Sequence, residues 1–228
     1  MSLKLTFKQL FNLLLFGLLC THLSVSVAAT SDTNLANPKV KITADIPWVD
    51  IQYKGKTIRI QRNQDTGNMV DLDFAVTSRP CPPYCIQPMT AAPGVETVGE
   101  IEVIQYIKRM SEGDSNIVLI DSREPKWLQK GMIPGAINIP WKKLFAPTAS
   151  EEGIAEIMQF NFAAVQLEQI WNFQNAKTLV FYCNGPWCGQ SATNIRALLT
   201  MGYPAHKLKW YRGGIQSWKM FGLTVIAP

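Results

Sequence analysis

The residue types for nucleophilic chemistry stand together in one segment, Thr178-Leu-Val-Phe-Tyr-Cys183-Asn-Gly-Pro-Trp-Cys188-Gly-Gln-Ser191. A β-branched and aromatic run carries Cys183 to the end of an expected strand, and the Gly/Pro loop behind it opens an expected helix. A thiol in that place faces backbone N–H groups and the positive end of a helix dipole. Both stabilise its anion and bring its pKa below the ordinary value of about 8.5. Cys183 is therefore the candidate nucleophile, exposed to reactants and held as a thiolate. Cys188, in the same loop, is a second thiol within reach of the first. The pair either works as a dithiol or closes into a disulfide in an oxidising compartment.

The other cysteines set the compartment. Lys4 and Lys8 precede an apolar stretch, Leu10 to Cys20, that is too short to span a bilayer, and the small residues Val25-Ser-Val-Ala-Ala29 offer a cleavage site. Residues 1–29 read as a secretory signal peptide, which puts the mature chain in a periplasm or outside the cell. It meets a membrane only if that segment is retained. Four cysteines outlast cleavage, Cys81, Cys85, Cys183 and Cys188, an even number that permits two disulfides. Cys81 and Cys85 lie among four prolines in Ser78-Arg-Pro-Cys81-Pro-Pro-Tyr-Cys85-Ile-Gln-Pro-Met89, a stiff connector that can be neither regular helix nor central strand. A disulfide staple is the favoured reading over metal binding, since further ligands are wanting and His206 falls in a turn. No metal or cofactor is expected. Loss of Lys4 and Lys8 leaves 20 basic against 17 acidic residues, too small an excess to suggest a nucleic-acid partner.

The elements that must position the thiols follow from the patterning. Residues 30–39 are a polar leader, and residues 40–95 form a β-hairpin-rich extension with the Pro/Cys connector. Val49, Ile51 and Tyr53 alternate, Lys54-Gly55 turns the chain, and Ile58 and Ile60 repeat the spacing. Residues 96–228 alternate helix and strand. Ile101, Ile104, Ile107 and Met110 mark a helix face, and Ile117-Val-Leu-Ile120 is a strand covered on both sides, ending at Asp121. Ala136 to Ile139 is a further strand, residues 151–174 are read as helical, and Thr178 to Tyr182 is the strand before the cysteine loop. Ser191 to Met201 is a helix, Lys207 to Tyr211 the last strand, and Gly213-Gly214 opens a final helix. Such alternation implies an α/β fold with a parallel sheet, whose sites form beyond the carboxyl ends of its strands, where Asp121 and Cys183 fall.

Four motifs in this order carry a family resemblance: Asp121-Ser-Arg123-Glu, Gly131-Met-Ile-Pro-Gly-Ala-Ile-Asn-Ile-Pro140, the cysteine loop, and Trp210-Tyr-Arg-Gly-Gly-Ile-Gln-Ser-Trp218 closing with Gly222-Leu-Thr-Val225. From Val98 to Val225 the chain resembles a rhodanese-type sulfurtransferase domain. The resemblance implies a doubly wound sheet of about five parallel strands, and a sulfane sulfur carried by Cys183 as a persulfide. It also implies a small sulfur donor such as thiosulfate, a thiol or cyanide-like acceptor, and amides from Asn184 through Gln190 around the terminal sulfur. Asn184, Gly185, Trp187, Gly189 and Gln190 are thus candidate substrate contacts, with Asp121 and Arg123 as the strand-end pair. Many relatives have a shorter loop that ends in a basic residue where this chain has Gln190, and Arg212 is the candidate for the missing charge. Cys188 is the addition. Attack on a Cys183 persulfide would release sulfide and leave a Cys183–Cys188 disulfide, for which a thiol reductant protein would be the partner.

Two other classes stay open at this level. Trp187-Cys188-Gly189 before a helix also resembles the start of a thioredoxin motif, with Cys188 as the nucleophile of an oxidoreductase. A non-catalytic rhodanese-like binding module would instead keep the loop permanently oxidised. Trp141 and Trp187 are candidate pocket walls under either enzymatic reading.

Overall fold

A computed structural model describes residues 38–81, 85–168 and 170–228; the expected signal peptide lies outside the described residues. The strands are β1 (Trp48–Tyr53), β2 (Lys56–Gln61), β3 (Glu96–Thr97), β4 (Ile117–Asp121), β5 (Ile137–Asn138), β6 (Val165–Leu167), β7 (Ile170–Asn172), β8 (Thr178–Tyr182) and β9 (Leu208–Tyr211). The helices are α1 (Leu72–Ala75), α2 (Glu100–Ser111), α3 (Glu151–Glu156), α4 (Gln190–Thr200) and α5 (Gly214–Met220). Five strands form one parallel sheet in the order β3-β9-β8-β4-β5.

The side chains of the central strands alternate between two cores, as a period of two requires. Leu119, Val180, Tyr182 and Tyr211 face α2 and α5 and meet Val103, Ile107, Ile215 and Trp218. Val118, Ile120, Leu179, Phe181, Leu208 and Trp210 face the other way and meet Ile154, Met158, Ala192, Ile195 and Leu198. Helices therefore cover both faces, and the central strands read as continuous apolar runs. This is the doubly wound arrangement expected from the sequence.

The antiparallel hairpin β1-β2 turns at Lys54 and Gly55, whose φ angles of 49° and 73° are those of a hairpin turn that favours glycine. Its inward residues Ile51 and Ile60 join the first core alongside Ile107 and Trp218. The sulfurs of Cys81 and Cys85 are bonded to each other. Residues 151–174 differ from the single helix expected. Ser150 caps α3 by accepting from the Gly153 N–H (3.1 Å), but the helix ends in a wide turn over Ile157–Asn161. Ala163 then takes a positive φ of 55° and the chain forms the antiparallel pair β6-β7. Val165, Ile170 and Trp171 are strand-forming types, and a left-handed residue between two elements stops a helix from propagating.

Candidate active site

β8 ends at Tyr182, and the loop of residues 183–189 runs from there to the first turn of α4. α5 holds this loop by its backbone. The N–H groups of Ile215 and Gln216 donate to the carbonyls of Cys183 (3.0 Å) and Asn184 (2.9 Å). Gly214, at φ 58°, comes so near that a Cβ there would lie 2.4 Å from the Cys183 oxygen, so the approach needs glycine. Within the loop the Cys188 N–H donates to the Gly185 carbonyl (2.9 Å), and the Trp187 indole N–H donates to Gln216 Oε1 (2.8 Å).

Cys183 and Cys188 are both free thiols, 2% and 5% exposed, and they cluster with Trp187. The Cys183 thiol donates to the Cys188 carbonyl at 3.2 Å. Burial pushes the Cys183 pKa up, but hydrogen bonds from the Cys188 thiol, the Ser191 N–H and hydroxyl and the Gly185 N–H outweigh it, and the value falls to about 7. Cys188 goes the other way. Its hydrogen bond to Cys183, then burial and the nearby thiolate charge, push it well above the usual thiol range against the Gln190 and Asn184 N–H groups. Cys183 ionises first.

The cradle therefore differs from the continuous ring of amides expected. The Gly185 and Ser191 amides serve Cys183 from the two ends of the loop, the Asn184 and Gln190 amides serve Cys188, and Ser191 was not among the residues the sequence singled out. Trp210 on β9 donates its indole N–H to Ser191 Oγ at 3.0 Å. An indole nitrogen only donates, so the Ser191 hydroxyl hydrogen is left for another acceptor, the Cys183 sulfur.

A pocket of about 350 Å³ opens beside the loop. The loop gives it Asn184, Cys188 and Gly189, α4 gives Gln190, Thr193 and Arg196, and Gln87, Trp127 and Trp141 complete the wall. Cys188 is the sulfur that meets this pocket. Cys183 is not on its wall, and this corrects the expectation of an exposed Cys183. The lengthened loop folds Trp187 and Cys188 over the first thiol, and the connector lies on the loop in turn, with the Gln87 N–H donating to the Pro186 carbonyl (2.8 Å) and the Arg79 guanidinium 4.0 Å over the Trp187 ring.

Further expected contacts are corrected. Asp121 and Arg123 have no exposed surface. The guanidinium grips the carboxylate through Nε (2.9 Å to Oδ1) and Nη2 (2.6 Å to Oδ2) and also donates to the Gly131 carbonyl (2.7 Å), while the Tyr182 hydroxyl donates to Asp121 Oδ2 (2.8 Å). A buried pair satisfied in this way ties strand ends together and has nothing left for a substrate. Arg212 donates to the carbonyls of Gln87 (2.7 Å) and Pro88 (3.0 Å), so it fastens the connector. Trp187 shapes the loop without lining the pocket, so of the two candidate wall tryptophans only Trp141 lines it, while Gly185 gives its N–H to Cys183 from outside the pocket wall. Trp127, Thr193 and Arg196 were missed, although Gln190, Thr193 and Arg196 follow the three-residue spacing of one helix face.

Residues 103–221 match the family model of the rhodanese-like domain, which is more than half of the chain. The chain belongs to that family. Among solved structures it is similar to a protein of unknown function from Rhodopseudomonas palustris described as a possible tyrosine phosphatase, at 24% identity over 60% of this chain and 88% of that one, with a TM-score of 0.41. It is also similar to a human single-domain sulfurtransferase, at 20% identity over 55% and 96% of the two chains with a TM-score of 0.35. A single-domain sulfurtransferase of Saccharomyces cerevisiae matches at 21% over 55% and 89%, with a TM-score of 0.37. Compared with curated proteins, the chain matches none.

Proposed function

We propose that this chain is a sulfurtransferase in which the Cys183 thiolate takes a sulfane sulfur and carries it as a persulfide, and Cys188 resolves it. The observation behind the reading is the opposite treatment of two thiols in one loop. Cys183 is held near a pKa of about 7 by four donors, and Cys188 is held protonated beside it. The Cys183 thiolate attacks the sulfane sulfur of the donor. The donor's S–S bond breaks, and sulfite leaves thiosulfate, or a thiolate leaves an organic persulfide. A thiol or cyanide then collects the sulfur. In the internal route the Cys188 sulfur attacks the Cys183 sulfur, HS⁻ leaves, and a Cys183–Cys188 disulfide remains. The two thiols give up the two electrons that reduce the sulfane sulfur to sulfide, and a dithiol reductant restores them. Because Cys188 faces the pocket and Cys183 lies behind it, loading requires the Cys188 side chain to turn aside. With residues 1–29 read as a signal peptide, the proposed cycle would run in the periplasm or outside the cell.

One observation favours a second reading, a thioredoxin-like exchange at Cys188: that sulfur is the one on the pocket wall. Its raised pKa, set by the Cys183 thiolate beside it, weighs against Cys188 as the first nucleophile, whereas in the resolving step the Cys188 proton passes to the leaving sulfide. Mass spectrometry of the reduced full chain after exposure to thiosulfate or an organic persulfide separates the readings. One added sulfur on Cys183 in Cys188→Ser, none in Cys183→Ser, and released sulfide with a Cys183–Cys188 disulfide in the wild-type chain are the expected results. No added sulfur in Cys188→Ser with any donor rejects the proposal.

A further inference from the structure

We infer that the Cys81–Cys85 disulfide is an electron relay: a dithiol protein in solution reduces this pair, and the pair in turn reopens the Cys183–Cys188 disulfide that sulfide release leaves behind. The inference rests on the sulfurtransferase reading above and says where its reductant acts. Access is the reason. Cys183 and Cys188 are 2% and 5% exposed, and the pocket that reaches Cys188 holds about 350 Å³, room for a small molecule. A dithiol protein has to bring its own sulfur to about 2 Å from the sulfur it attacks, and a folded loop does not enter so small a space. Cys81, by contrast, is exposed and Cys85 half-buried, and the two are bonded to each other.

The two pairs are neighbours. Gln87 Nε2 donates to the Cys85 carbonyl (3.2 Å), and the same atom lies 3.5 Å from the place a Cβ on Gly189 would take. One side-chain amide thus spans from the backbone of Cys85 to the residue that follows Cys188. The seat is fixed by the Gln87 N–H on the Pro186 carbonyl (2.8 Å) and by Arg212 on the carbonyls of Gln87 (2.7 Å) and Pro88 (3.0 Å). The order of the sulfurs suits the exchange as well. Cys188 shares the pocket wall with Gln87, so it is the sulfur of its disulfide that is open to attack from the connector. Attack there expels Cys183, whose thiol has a pKa of about 7, and the thiolate of lower pKa leaves faster. In balance, the external dithiol gives two electrons and two protons to Cys81–Cys85 and becomes a disulfide. Cys85–S⁻ attacks the Cys188 sulfur, the Cys183–Cys188 bond breaks, and Cys183 leaves as thiolate. Cys81–S⁻ then attacks the Cys85 sulfur of the mixed disulfide, Cys188 leaves, and the Cys81–Cys85 bond is restored. The protons given up by Cys81 and Cys85 end on Cys188 and on Cys183 or solvent.

The test oxidises the full chain with diamide, so that the Cys183–Cys188 bond is present without any sulfur donor, and follows its opening by differential alkylation and mass spectrometry. The reductants are reduced thioredoxin, a dithiol protein, and dithiothreitol, a dithiol small enough for the pocket. Thioredoxin is expected to open the bond about tenfold slower in Cys81→Ser/Cys85→Ser than in the wild-type chain, because it then has to reach the buried pair directly, while dithiothreitol opens it at a like rate in both. No opening by thioredoxin in the wild-type chain, or equal thioredoxin rates in the two chains, overturns the inference. Slowing with both reductants alike also overturns it, and makes the pair a staple of the fold. A second variant, Cys81→Ser/Cys183→Ser, keeps Cys85 and Cys188 without their partners. Oxidation is expected to join these two and so trap the mixed disulfide; a peptide map without a Cys85–Cys188 bond overturns the inference. The sulfurtransferase reading is tested apart, by sulfide released from cysteine hydropersulfide in the reduced wild-type chain. Its absence rejects that reading, and its presence beside a failed relay leaves that reading standing.

Discussion

At the scale of the residue, the chemistry turns on which of two neighbouring thiols keeps its proton. Ser191 supplies two of the donors that hold the Cys183 anion, and Trp210 orients its hydroxyl. Ser191→Ala removes one hydrogen bond to a charged group, and the Cys183 pKa is expected to rise by about one unit. The ultraviolet absorbance of the thiolate, titrated against pH, measures this. The same pKa makes stability depend on pH. Between about 7 and 9.0 the unfolded chain binds a proton at Cys183 that the folded chain has released, so the stability of the reduced protein rises with pH across that window and is lost as pH falls through 7. Above it the sign reverses, because Cys188 keeps its proton in the folded state after the unfolded chain has given it up. The thermal midpoint of the reduced chain is expected to pass through a maximum near pH 9. In Cys183→Ser the rising limb disappears.

At the scale of the element, three pieces of chain converge on one loop. β8 delivers Cys183, α4 brings the Ser191 and Gln190 amides, and α5 closes the back through Ile215, Gln216 and Gly214. The connector adds a front cover. It is fastened by Arg212 to the carbonyls of Gln87 and Pro88 and by the Gln87 N–H to Pro186. Arg212→Ala is expected to leave the parallel sheet intact and to loosen this cover. Hydrogen exchange at the Gln87 amide should accelerate several-fold, and alkylation of Cys188 should quicken with it. Unchanged exchange would mean that the connector is held by its other contacts, such as Arg79 over Trp187.

At the scale of the whole molecule, the hairpin β1-β2 is part of the wall and not an appendage hung from it. Ile51 and Ile60 are buried in the core that also holds Ile107 and Trp218. Ile60→Ala is accordingly expected to cost about 2–5 kcal/mol, the range for truncating a buried aliphatic side chain. A urea unfolding midpoint measures it. A cost below about 1 kcal/mol would return the hairpin to the status of a surface extension. By contrast Val165, Leu167 and Ile170 of β6-β7 are exposed, and polar substitutions there should change stability by no more than about 0.5 kcal/mol.

Much of the fold was legible because its signals are local. Apolar runs at Ile117-Val-Leu-Ile120 and Thr178 to Tyr182, helix spacing in Ile101 to Met110, and the Lys54-Gly55 turn each announce an element within a few residues. Cys183 was legible for the same reason, since a strand, a Gly/Pro loop and a helix start are consecutive in the chain. Residues 151–174 misled because apolar residues there suit either period until a left-handed Ala163 breaks the helix. What tertiary structure alone decided is who faces whom. The capture of Gln87 by Arg212 and the convergence of Trp127, Trp141 and Arg196 on one pocket join segments distant in the chain, and the burial of Cys183 and of the Asp121–Arg123 pair depends on what the rest of the chain packs over them. Periodicity tells a residue which side of its own element it occupies. Only packing tells it what stands on the other side.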